Sequence, residues 1–290
     1  MTEKLIKIMF GTPKLPIIDF GLTEVLPKAE EVAGLLSISG VQPKLSLKLD
    51  KKKNELISVA QGGEYILKPQ TATYPNIPEN EQCCMDIAEA FKIEVPPHCL
   101  IPLKDDTLAY IVKRFDREEG EKFPQEHFAQ ILERKEKYDG TIEQIGKMIR
   151  KLSTAPGLDN QYLFVRVVFN FIIGNGDAHL KNYSLLTKDD SIRLSPAYDL
   201  VCSRMVIPKE KWESALGISP GKGKKNDLNR KDFDDLGEYL GVPKGLRYID
   251  FENQFTKMKE IIEMSKLDQD KRVKFIAIIK HRLSRLEISE

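Results

Sequence analysis

Apolar and polar residues alternate in several short segments of residues 1–117, and this pattern indicates a strand-rich region. The segment LSLKLDKKKNELISVA (45–60) alternates, turns through the charged residues DKKKN and alternates again, which predicts a hairpin. EYILKP (64–69) and LAYIVKRF (108–115) predict two further strands. Between these two strands, PENEQCCMDIAEAFKI (78–93) predicts a helix with proline near its first turn.

From about residue 118 onward, apolar residues recur at helical spacing, and the last segment predicts one long amphipathic helix. A strand-rich part followed by a helical part predicts an α+β protein with an N-lobe at 1–117, a C-lobe at 118–290 and a cleft between them. The helical segments are HFAQILERKEK, IEQIGKMIRKL, LDNQYLFVRVVFNFII, RKDFDDLGEYLG and MKEIIEMSKLDQDKRVKFIAIIKHRLSRLE.

Composition narrows the class of protein. The 45 Lys and Arg residues balance 44 Asp and Glu residues, so the chain lacks the basic excess of proteins that coat nucleic acid. No apolar run is long enough to span a membrane, and the N-terminus lacks the pattern of a signal peptide. The four cysteines show no C-x-x-C pair. A cytoplasmic protein with no direct nucleic-acid or membrane contact is therefore expected.

The segment NFIIGNGDAHLKNYSLL (170–186) places functional side chains in a loop between two apolar elements. Asp177 and Asn182 have the D-x-x-x-x-N spacing of a kinase catalytic loop. In that geometry the aspartate orients the attacking hydroxyl group or accepts its proton, and the asparagine oxygen binds Mg²⁺. The simpler alternative is that Asp177 only closes a turn.

A second predicted hairpin follows this loop and returns the chain to it. YSLL (183–186) and IRLS (192–195) form its strands, and AYDL (197–200) then brings Asp199 beside Asn182. Two hard oxygen ligands at one point suit Mg²⁺, which combines carboxylates with phosphate oxygens. The alternative role for Asp199 is a helix cap.

The N-lobe offers residues that could hold a nucleotide. Lys68 ends a predicted strand, from which it could reach phosphates, and Glu81 lies on the inward face of the following helix, where a buried carboxylate needs a partner such as Lys68. The alternative is an exposed glutamate at the helix start. The loop SISGVQPKLSL (37–47) contains Gly40 and Gln42 and could approach phosphates through its backbone, or it could be a plain turn. Phe115 and its neighbours end the last strand of the N-lobe, where they could contact an adenine ring or serve only as a linker.

Seven segments in this order resemble the HipA family of bacterial serine/threonine kinases, which are toxins of toxin–antitoxin modules. The resemblance runs from about residue 34 to the C-terminus. The segments are SISGVQPKLSL, YILKP, NEQCCMDIAEAF, VKRFDR, QEHFAQIL, GNGDAHLKNYSLL and LSPAYDL.

The resemblance implies a two-lobed kinase-like fold that uses ATP and Mg²⁺. It makes Asp177 the catalytic aspartate, and His179 belongs to the same D-x-H-x-x-N signature. Asn182 and Asp199 are then the Mg²⁺ ligands. The nucleotide would contact Lys68, with Glu81 as its partner, the loop residues Gly40 and Gln42, the backbone around Lys113 and Phe115, and, through its ribose, Asp116.

Two features place the chain with the short HipT-like type. The glycine-containing loop begins near residue 34, so the additional N-terminal subdomain of longer relatives is expected to be missing, and the loop reads Ser37-Ile38-Ser39-Gly40. The resemblance implies that Ser37 and Ser39 are autophosphorylated. Phosphate there would repel ATP and inhibit the kinase. The alternative is that both serines only satisfy backbone groups of the turn.

The resemblance also implies partners: a protein substrate, expected to be an aminoacyl-tRNA synthetase of tryptophanyl or glutamyl type, a HipB-like DNA-binding antitoxin and a small HipS-like protein. Two other functions fit the same residues. The chain could phosphorylate a small molecule or lipid, because G-D-x-H-x-x-N also resembles the loop of phosphoinositide kinases. It could instead be a non-catalytic corepressor that acts through the DNA-binding antitoxin.

Overall fold

In the computed structural model, the alternating segments of the first part form a five-stranded antiparallel sheet with the order β2-β1-β3-β5-β4. Leu45, Leu47 and Leu49 of β1 are buried, because successive side chains of a strand point to opposite faces. The predicted hairpin and the two further strands are thereby confirmed. The strands are β1 (Leu45–Asp50), β2 (Glu55–Ser58), β3 (Tyr65–Lys68), β4 (His98–Pro102) and β5 (Leu108–Lys113).

The structure describes residues 2–33, 42–118, 120–207, 210–218 and 223–289. The expectations for Ser37, Ser39 and Gly40 therefore lie outside the described residues. Packing divides the chain into a first unit, residues 1–82 and 96–122, and a second unit, residues 83–95 and 123–290. This grouping does not test the functional division expected at residue 117, which stays a prediction.

The core of the first unit lies between the sheet and two helices that the sequence pattern did not predict. Met9 and Phe10 of the first helix and Val25 of the second are buried with Leu47 and Leu67 of the sheet. The Tyr65 hydroxyl donates a 2.9 Å hydrogen bond to the Met9 carbonyl, which fixes the end of the first helix. These helices are α1 (Glu3–Phe10) and α2 (Leu22–Ala33).

Helices dominate the second unit. The helix between β3 and β4, α3 (Ile77–Ala90), begins in the first unit and ends in the second. Threonine and glutamine form a capping box at the start of α5, as Thr141 Oγ1 accepts from Gln144 N–H at 3.3 Å. The nearly all-apolar segment becomes α6, which is buried along most of its length. The other helices are α4 (Phe128–Ile131), α5 (Ile142–Leu152), α6 (Pro156–Ile172), α7 (Ser203–Val206), α8 (Arg230–Leu240), α9 (Phe255–Met264) and α10 (Gln269–Arg285), with 3₁₀ turns at Leu180–Asn182 and Lys244–Leu246.

The second predicted hairpin is also confirmed and belongs to a three-stranded sheet with the order β10-β9-β8. Its turn contains Asp189 and Asp190, both at positive φ, a conformation that aspartate tolerates better than most residues. Two residue pairs, β6 and β7, form a separate ribbon. The bounds are β6 (Arg117–Glu118), β7 (Glu121–Lys122), β8 (Gln125–His127), β9 (Ser184–Lys188) and β10 (Ser191–Leu194).

Two helix predictions were wrong in extent. The segment HFAQILERKEK is helical only over α4, because Glu133 takes a positive φ of 53° that no right-handed helix can continue through. The long C-terminal segment is two helices, since Ser265 ends α9 with an extended backbone and Asp268, also extended, begins α10. Strand β4 was not predicted at all. Among the described residues, no helix combines the length and apolar character needed to cross a membrane.

Candidate active site

The loop that follows α6 is fixed by buried amide side chains. The Asn175 side chain donates to Asn170 Oδ1 at 2.9 Å, and its own oxygen accepts from the Asp177 backbone N–H at 3.3 Å. The Asn170 amide group in turn donates to the Tyr183 hydroxyl at 3.2 Å. Because Asn170 lies on the rigid helix α6, these contacts hold the backbone at Asp177 in one position.

Gly176 passes close to the segment that follows α7. Its backbone N–H donates to Ser203 Oγ at 2.8 Å. A Cβ atom at this position would lie 2.5 Å from the Trp212 carbonyl oxygen and 2.5 Å from the Glu210 carboxyl carbon. Such contacts are too short for any side chain, so the loop needs glycine immediately before Asp177.

Asp177 is half-buried and held from a distant part of the chain. The Tyr138 hydroxyl donates a 2.6 Å hydrogen bond to Asp177 Oδ1, a length typical of a bond to an ionised carboxylate. Burial, together with this hydrogen bond and the charge of Asp177, raises the pKa of Tyr138 well above its ordinary value. The tyrosine therefore stays protonated and remains a donor to Asp177.

Asn182 and Asp199 are brought together as the hairpin predicts. The Asn182 side-chain amide donates to Asp199 Oδ2 at 3.1 Å, while Asn182 Oδ1 accepts from the His179 backbone N–H at 2.9 Å. The Tyr198 hydroxyl donates to the Lys181 carbonyl at 2.9 Å and so ties the segment before Asp199 to the loop that carries Asn182. The amide plane of Asn182 is thus oriented from both ends.

Asp199 has a left-handed backbone conformation, with φ of 58°. Aspartate tolerates this conformation better than most residues, as at Asp189 and Asp190. The amide oxygen of Asn182 and the carboxylate of Asp199 form a hard-oxygen donor set. Mg²⁺ commonly takes one or two such protein ligands and completes its shell with water and phosphate oxygens. The residues present therefore fit a magnesium ion.

His179 lies among these groups as a neutral side chain. Burial lowers its pKa to about 4 against the opposing charges of Asp177 and Asp199, and Lys137 lowers it further. Its ring contacts the Tyr138 ring edge-to-face at a centroid distance of 5.5 Å. The carboxylates of Asp177 and Asp199 both affect this one histidine, so Asp177, His179, Asn182 and Asp199 share one site.

The first unit contains a buried ion pair. Lys68 Nζ lies 2.6 Å from Glu81 Oε1, and the two residues are only 5% and 2% exposed. The lysine also lies over the ring of Tyr110, 5.6 Å from its centroid. The pairing expected between Lys68 and Glu81 is therefore present, and the alternative of an exposed glutamate is excluded.

Three other residues that were expected to contact the nucleotide make hydrogen bonds within the first unit. Gln42 donates from its side chain to the Pro69 carbonyl at 2.7 Å, next to Lys68 in sequence. The Lys113 backbone N–H donates to the Pro97 carbonyl at 2.8 Å. Both Asp116 oxygens accept from Arg114, at 2.8 and 2.6 Å, and although burial raises the pKa of Asp116, Arg114 holds it below its ordinary value. A ribose at Asp116 would have to share the carboxylate with Arg114. The roles of Gln42, Lys113, Phe115 and Asp116 stay predictions.

Three residues near Asp177 were not assigned to the site from the sequence. Tyr138 directly follows the segment HFAQILERKEK that was predicted as a helix, and the sequence pattern gave neither Tyr138 nor Trp212 a role. The ring centroids of Trp212 and Tyr138 are 5.4 Å apart. The ammonium groups of Lys211 and Lys225 lie 4.7 and 4.5 Å from the centroid of the Trp212 ring. No local motif marks these residues, because their contacts depend on the tertiary fold.

Glu210 is the third of these residues and has a perturbed acidity. Burial raises its pKa to about 7, and the charge of Asp177 adds to this effect, while Ser203 and Arg204 oppose it. Its carboxyl group lies against Gly176, directly before Asp177 in the chain. Beside Asp177 and Asp199, the site therefore contains a third acidic group, whose pKa lies near neutral pH.

A sequence profile for the HipA-like C-terminal domain matches residues 36–271. The chain belongs to the HipA family. Two curated relatives bear the name Putative kinase. The one from Haemophilus influenzae is 31% identical over 248 residues, which cover 79% of this chain and 70% of the relative. The one from Sinorhizobium fredii, Y4dM, is 35% identical over 228 residues, which cover 72% of this chain and 54% of the relative. The chain thus spans only about half the length of the second relative.

Two solved structures share the fold of this HipA-family chain. HipA of Shewanella oneidensis, determined in complex with HipB and its operator DNA, has a TM-score of 0.70 at 21% identity, with 95% of this chain and 72% of that chain covered. The Helicobacter pylori proinflammatory kinase CtkA has a TM-score of 0.59 at 18% identity, with 93% and 95% covered. These similarities confirm the predicted α+β, kinase-like fold.

Proposed function

We propose that this HipA-family chain is a protein kinase that transfers the γ-phosphate of ATP to a serine or threonine hydroxyl group of another protein. The observation that carries the proposal is the contact between Asn182 and Asp199, with Asp177 in the same site. Two relatives that share about a third of their aligned residues with this chain are named as kinases, which supports the same reaction.

Asn182 and Asp199 are the residues that would hold Mg²⁺. When bound, the ion would neutralise charge on the phosphate oxygens. Asn182 Nδ2 donates to Asp199 and Asn182 Oδ1 accepts from the His179 N–H, so these bonds fix the amide plane, and the second lone pair of Oδ1 would remain for the ion. Preorganised ligands lose little freedom when they bind, which favours binding of the nucleotide complex.

Asp177 would orient the acceptor hydroxyl group and receive its proton. The hydrogen bond from Tyr138 keeps one carboxylate oxygen fixed, which leaves the other to face the hydroxyl group. His179 is neutral at physiological pH because of its pKa of about 4, so it adds no positive charge that would compete for the carboxylate. The loop residues thus position Asp177 without protonating it.

In the first unit, Lys68 is proposed to contact the ATP phosphates. Its buried pair with Glu81 keeps the ammonium group in one place, as the lysine–glutamate pair of protein kinases does. Gly40 and Gln42 would approach the phosphates, the backbone around Lys113 and Phe115 would contact the adenine, and Asp116 would contact the ribose. Each of these remaining roles rests on the family resemblance.

We further propose that the chain is the toxin of a toxin–antitoxin module. Its substrate would be an aminoacyl-tRNA synthetase of tryptophanyl or glutamyl type, and its partners would be a HipB-like antitoxin and a HipS-like small protein. The HipA of Shewanella oneidensis, whose fold this chain shares, is found with HipB and operator DNA. That complex also supports a second candidate function, corepression through a DNA-binding antitoxin.

Transfer of label from [γ-³²P]ATP to a panel of purified aminoacyl-tRNA synthetases tests the proposal. Label should appear on one synthetase with the wild-type chain and fall at least a hundredfold with Asp177→Asn. The matched control is Asp190→Asn, at an exposed turn residue of the β9–β10 hairpin, which should retain full activity. Label found only on a lipid or metabolite would replace the protein substrate by the small-molecule alternative. The absence of any label would support the corepressor.

Autophosphorylation is tested in the same assay. Label should appear on Ser37 or Ser39 in the wild-type chain. The double substitution Ser37→Asp and Ser39→Asp should weaken ATP binding, because negative charge at this loop repels the phosphates. Undiminished ATP affinity and kinase rate in this double variant would refute the self-inhibition.

A further inference from the structure

The second unit contains a cavity that takes no part in the proposed active site. Its volume is about 390 Å³, and neither Asp177, Asn182 nor Asp199 lines it. Cavities that bind small ligands range from about 300 to 1,000 Å³. The size is therefore sufficient for a small organic molecule.

The walls of the cavity are mostly apolar. Phe91 and Ile93 follow α3, Tyr162 and Val165 come from one face of α6, and Ile249 lies beyond the second 3₁₀ turn. Tyr162 and Ile249 are 46% and 60% exposed although they are large and apolar. Exposed apolar side chains around a concavity are a common sign of a binding site.

A buried arginine also lines this cavity. Arg166 of α6 is 4% exposed, and its Nη2 donates a 2.6 Å hydrogen bond to the Ser195 carbonyl. Its Nε and Nη1 atoms make no hydrogen bond within the described part of the chain, and no described carboxylate lies within ion-pair distance of the guanidinium group. Burial lowers the pKa of Arg166, but a guanidinium group keeps its charge in proteins. A buried charge without an anion is costly.

The neighbouring carboxylates do not meet this need. Asp159, two turns earlier on α6, has both oxygens occupied: one accepts from Arg193 at 2.9 and 3.0 Å, and the other accepts from Leu194 N–H at 2.9 Å. Glu94 lines the cavity but is exposed, and it influences Arg166 only through its charge. The guanidinium group thus has two N–H groups, on Nε and Nη1, for which the described part of the chain supplies no acceptor.

We propose that the cavity is a binding site for a small organic acid with an apolar, ring-sized body and a carboxylate group. The body would lie against the side chains of Phe91, Tyr162 and Val165, and the carboxylate would accept hydrogen bonds from Arg166. Charge-assisted bonds of this kind are stronger than neutral ones, and the apolar walls favour a ring over water. This site is separate from the proposed kinase reaction and does not depend on it.

Calorimetric titration of the full chain with 1-naphthoate, and with its neutral analogue 1-naphthalenemethanol, tests the proposal. Naphthoate should bind at one site, and the alcohol should bind at least tenfold more weakly, because only the acid satisfies Arg166. Arg166→Met should remove this preference. Equal affinity for the two compounds, or no binding of naphthoate at millimolar concentration, would overturn the proposal.

A second variant keeps the test valid if Arg166→Met does not fold. Leu246 lines the cavity and is 44% exposed, so Leu246→Trp should narrow the cavity without disturbing the core and weaken naphthoate binding at least tenfold. The matched control is Leu158→Trp, because Leu158 is 41% exposed and does not line the cavity. The control should bind naphthoate as the wild type does, and equal binding by both tryptophan variants would place the ligand elsewhere.

Discussion

The Tyr138 hydroxyl group donates a 2.6 Å hydrogen bond to Asp177, across 39 residues of sequence. Asp177 is the residue proposed to orient the acceptor hydroxyl group. A carboxylate that is fixed in one orientation can accept the hydroxyl proton without first reorienting. Loss of that orientation slows the chemical step more than it weakens nucleotide binding. Tyr138 is therefore a positioning residue, since it acts through Asp177.

Tyr138→Phe removes only the donor, and we expect kcat to fall. A hydrogen bond to a charged group contributes roughly 1.5–3 kcal/mol, which corresponds to a decrease of about tenfold to a hundredfold. KM for ATP should stay within about twofold, because Tyr138 is not among the proposed nucleotide contacts. Steady-state kinetics measures both constants. Tyr239→Phe, at a surface tyrosine that contacts Arg150, is the control and should leave both unchanged. An increase in KM with unchanged kcat for Tyr138→Phe would contradict the positioning role.

The contribution of the buried ion pair between Lys68 and Glu81 can be measured from the free energy of unfolding. Lys68→Met removes the cation beside the buried carboxylate of Glu81, which should cost roughly 3 kcal/mol. Adding Glu81→Leu should restore part of this loss, because two apolar side chains leave no unpaired charge. Urea denaturation of the single variants Lys68→Met and Glu81→Leu and of the double variant measures these losses.

The control for this pair lies on the surface of the same unit. Lys104 and Asp19 form a 2.7 Å ion pair whose side chains are 61% and 64% exposed, and Lys104→Met should leave the free energy of unfolding nearly unchanged. A double variant of Lys68 and Glu81 whose loss equals the sum of the two single losses would show that the pair is not coupled.

The raised pKa of Glu210 predicts that the free energy of unfolding depends on pH. Its pKa is raised by burial from 4.5 to about 7, so the folded chain binds this proton more tightly than the unfolded chain does. The resulting stabilisation is complete below pH 4.5 and is lost as the pH rises through 7. A pKa difference of this size corresponds to at most about 3 kcal/mol, and partial exposure reduces it.

Glu210→Gln should therefore match the wild type near pH 5 and exceed its stability by about 1–2 kcal/mol at pH 8, because glutamine mimics the protonated acid. Thermal unfolding at the two pH values measures the difference. The exposed Glu238, replaced by Gln, should show no such divergence. A constant offset between Glu210→Gln and the wild type at both pH values would exclude a proton bound by Glu210 as its cause.

The sequence was sufficient for those parts of the site that depend on local spacing. The short hairpin after Asn182 limits where the chain can go, so the approach of Asp199 could be predicted from the pattern of alternating residues. The partner of Lys68 could be predicted because an acid on the inward face of a helix needs a cation.

Other parts depend on interactions that no local pattern contains. The contact between Tyr138 and Asp177 joins two loops that only the folded helices bring together. The early end of α4 depends on the positive φ of Glu133, a residue with good helix propensity. The C-terminal segment likewise breaks at Ser265, whose hydroxyl group donates to the Ile262 carbonyl at 2.6 Å where α9 ends.

Calorimetric titration with ATP, with and without magnesium, tests the central claim that Asn182 and Asp199 hold the metal of a bound nucleotide. We predict that the wild-type chain binds ATP at least tenfold more tightly with magnesium, and that Asp199→Asn abolishes this gain while the control Asp190→Asn retains it. Equal ATP affinity of the wild type and Asp199→Asn in the presence of magnesium, or no binding of ATP by the wild type, would contradict the proposed kinase site.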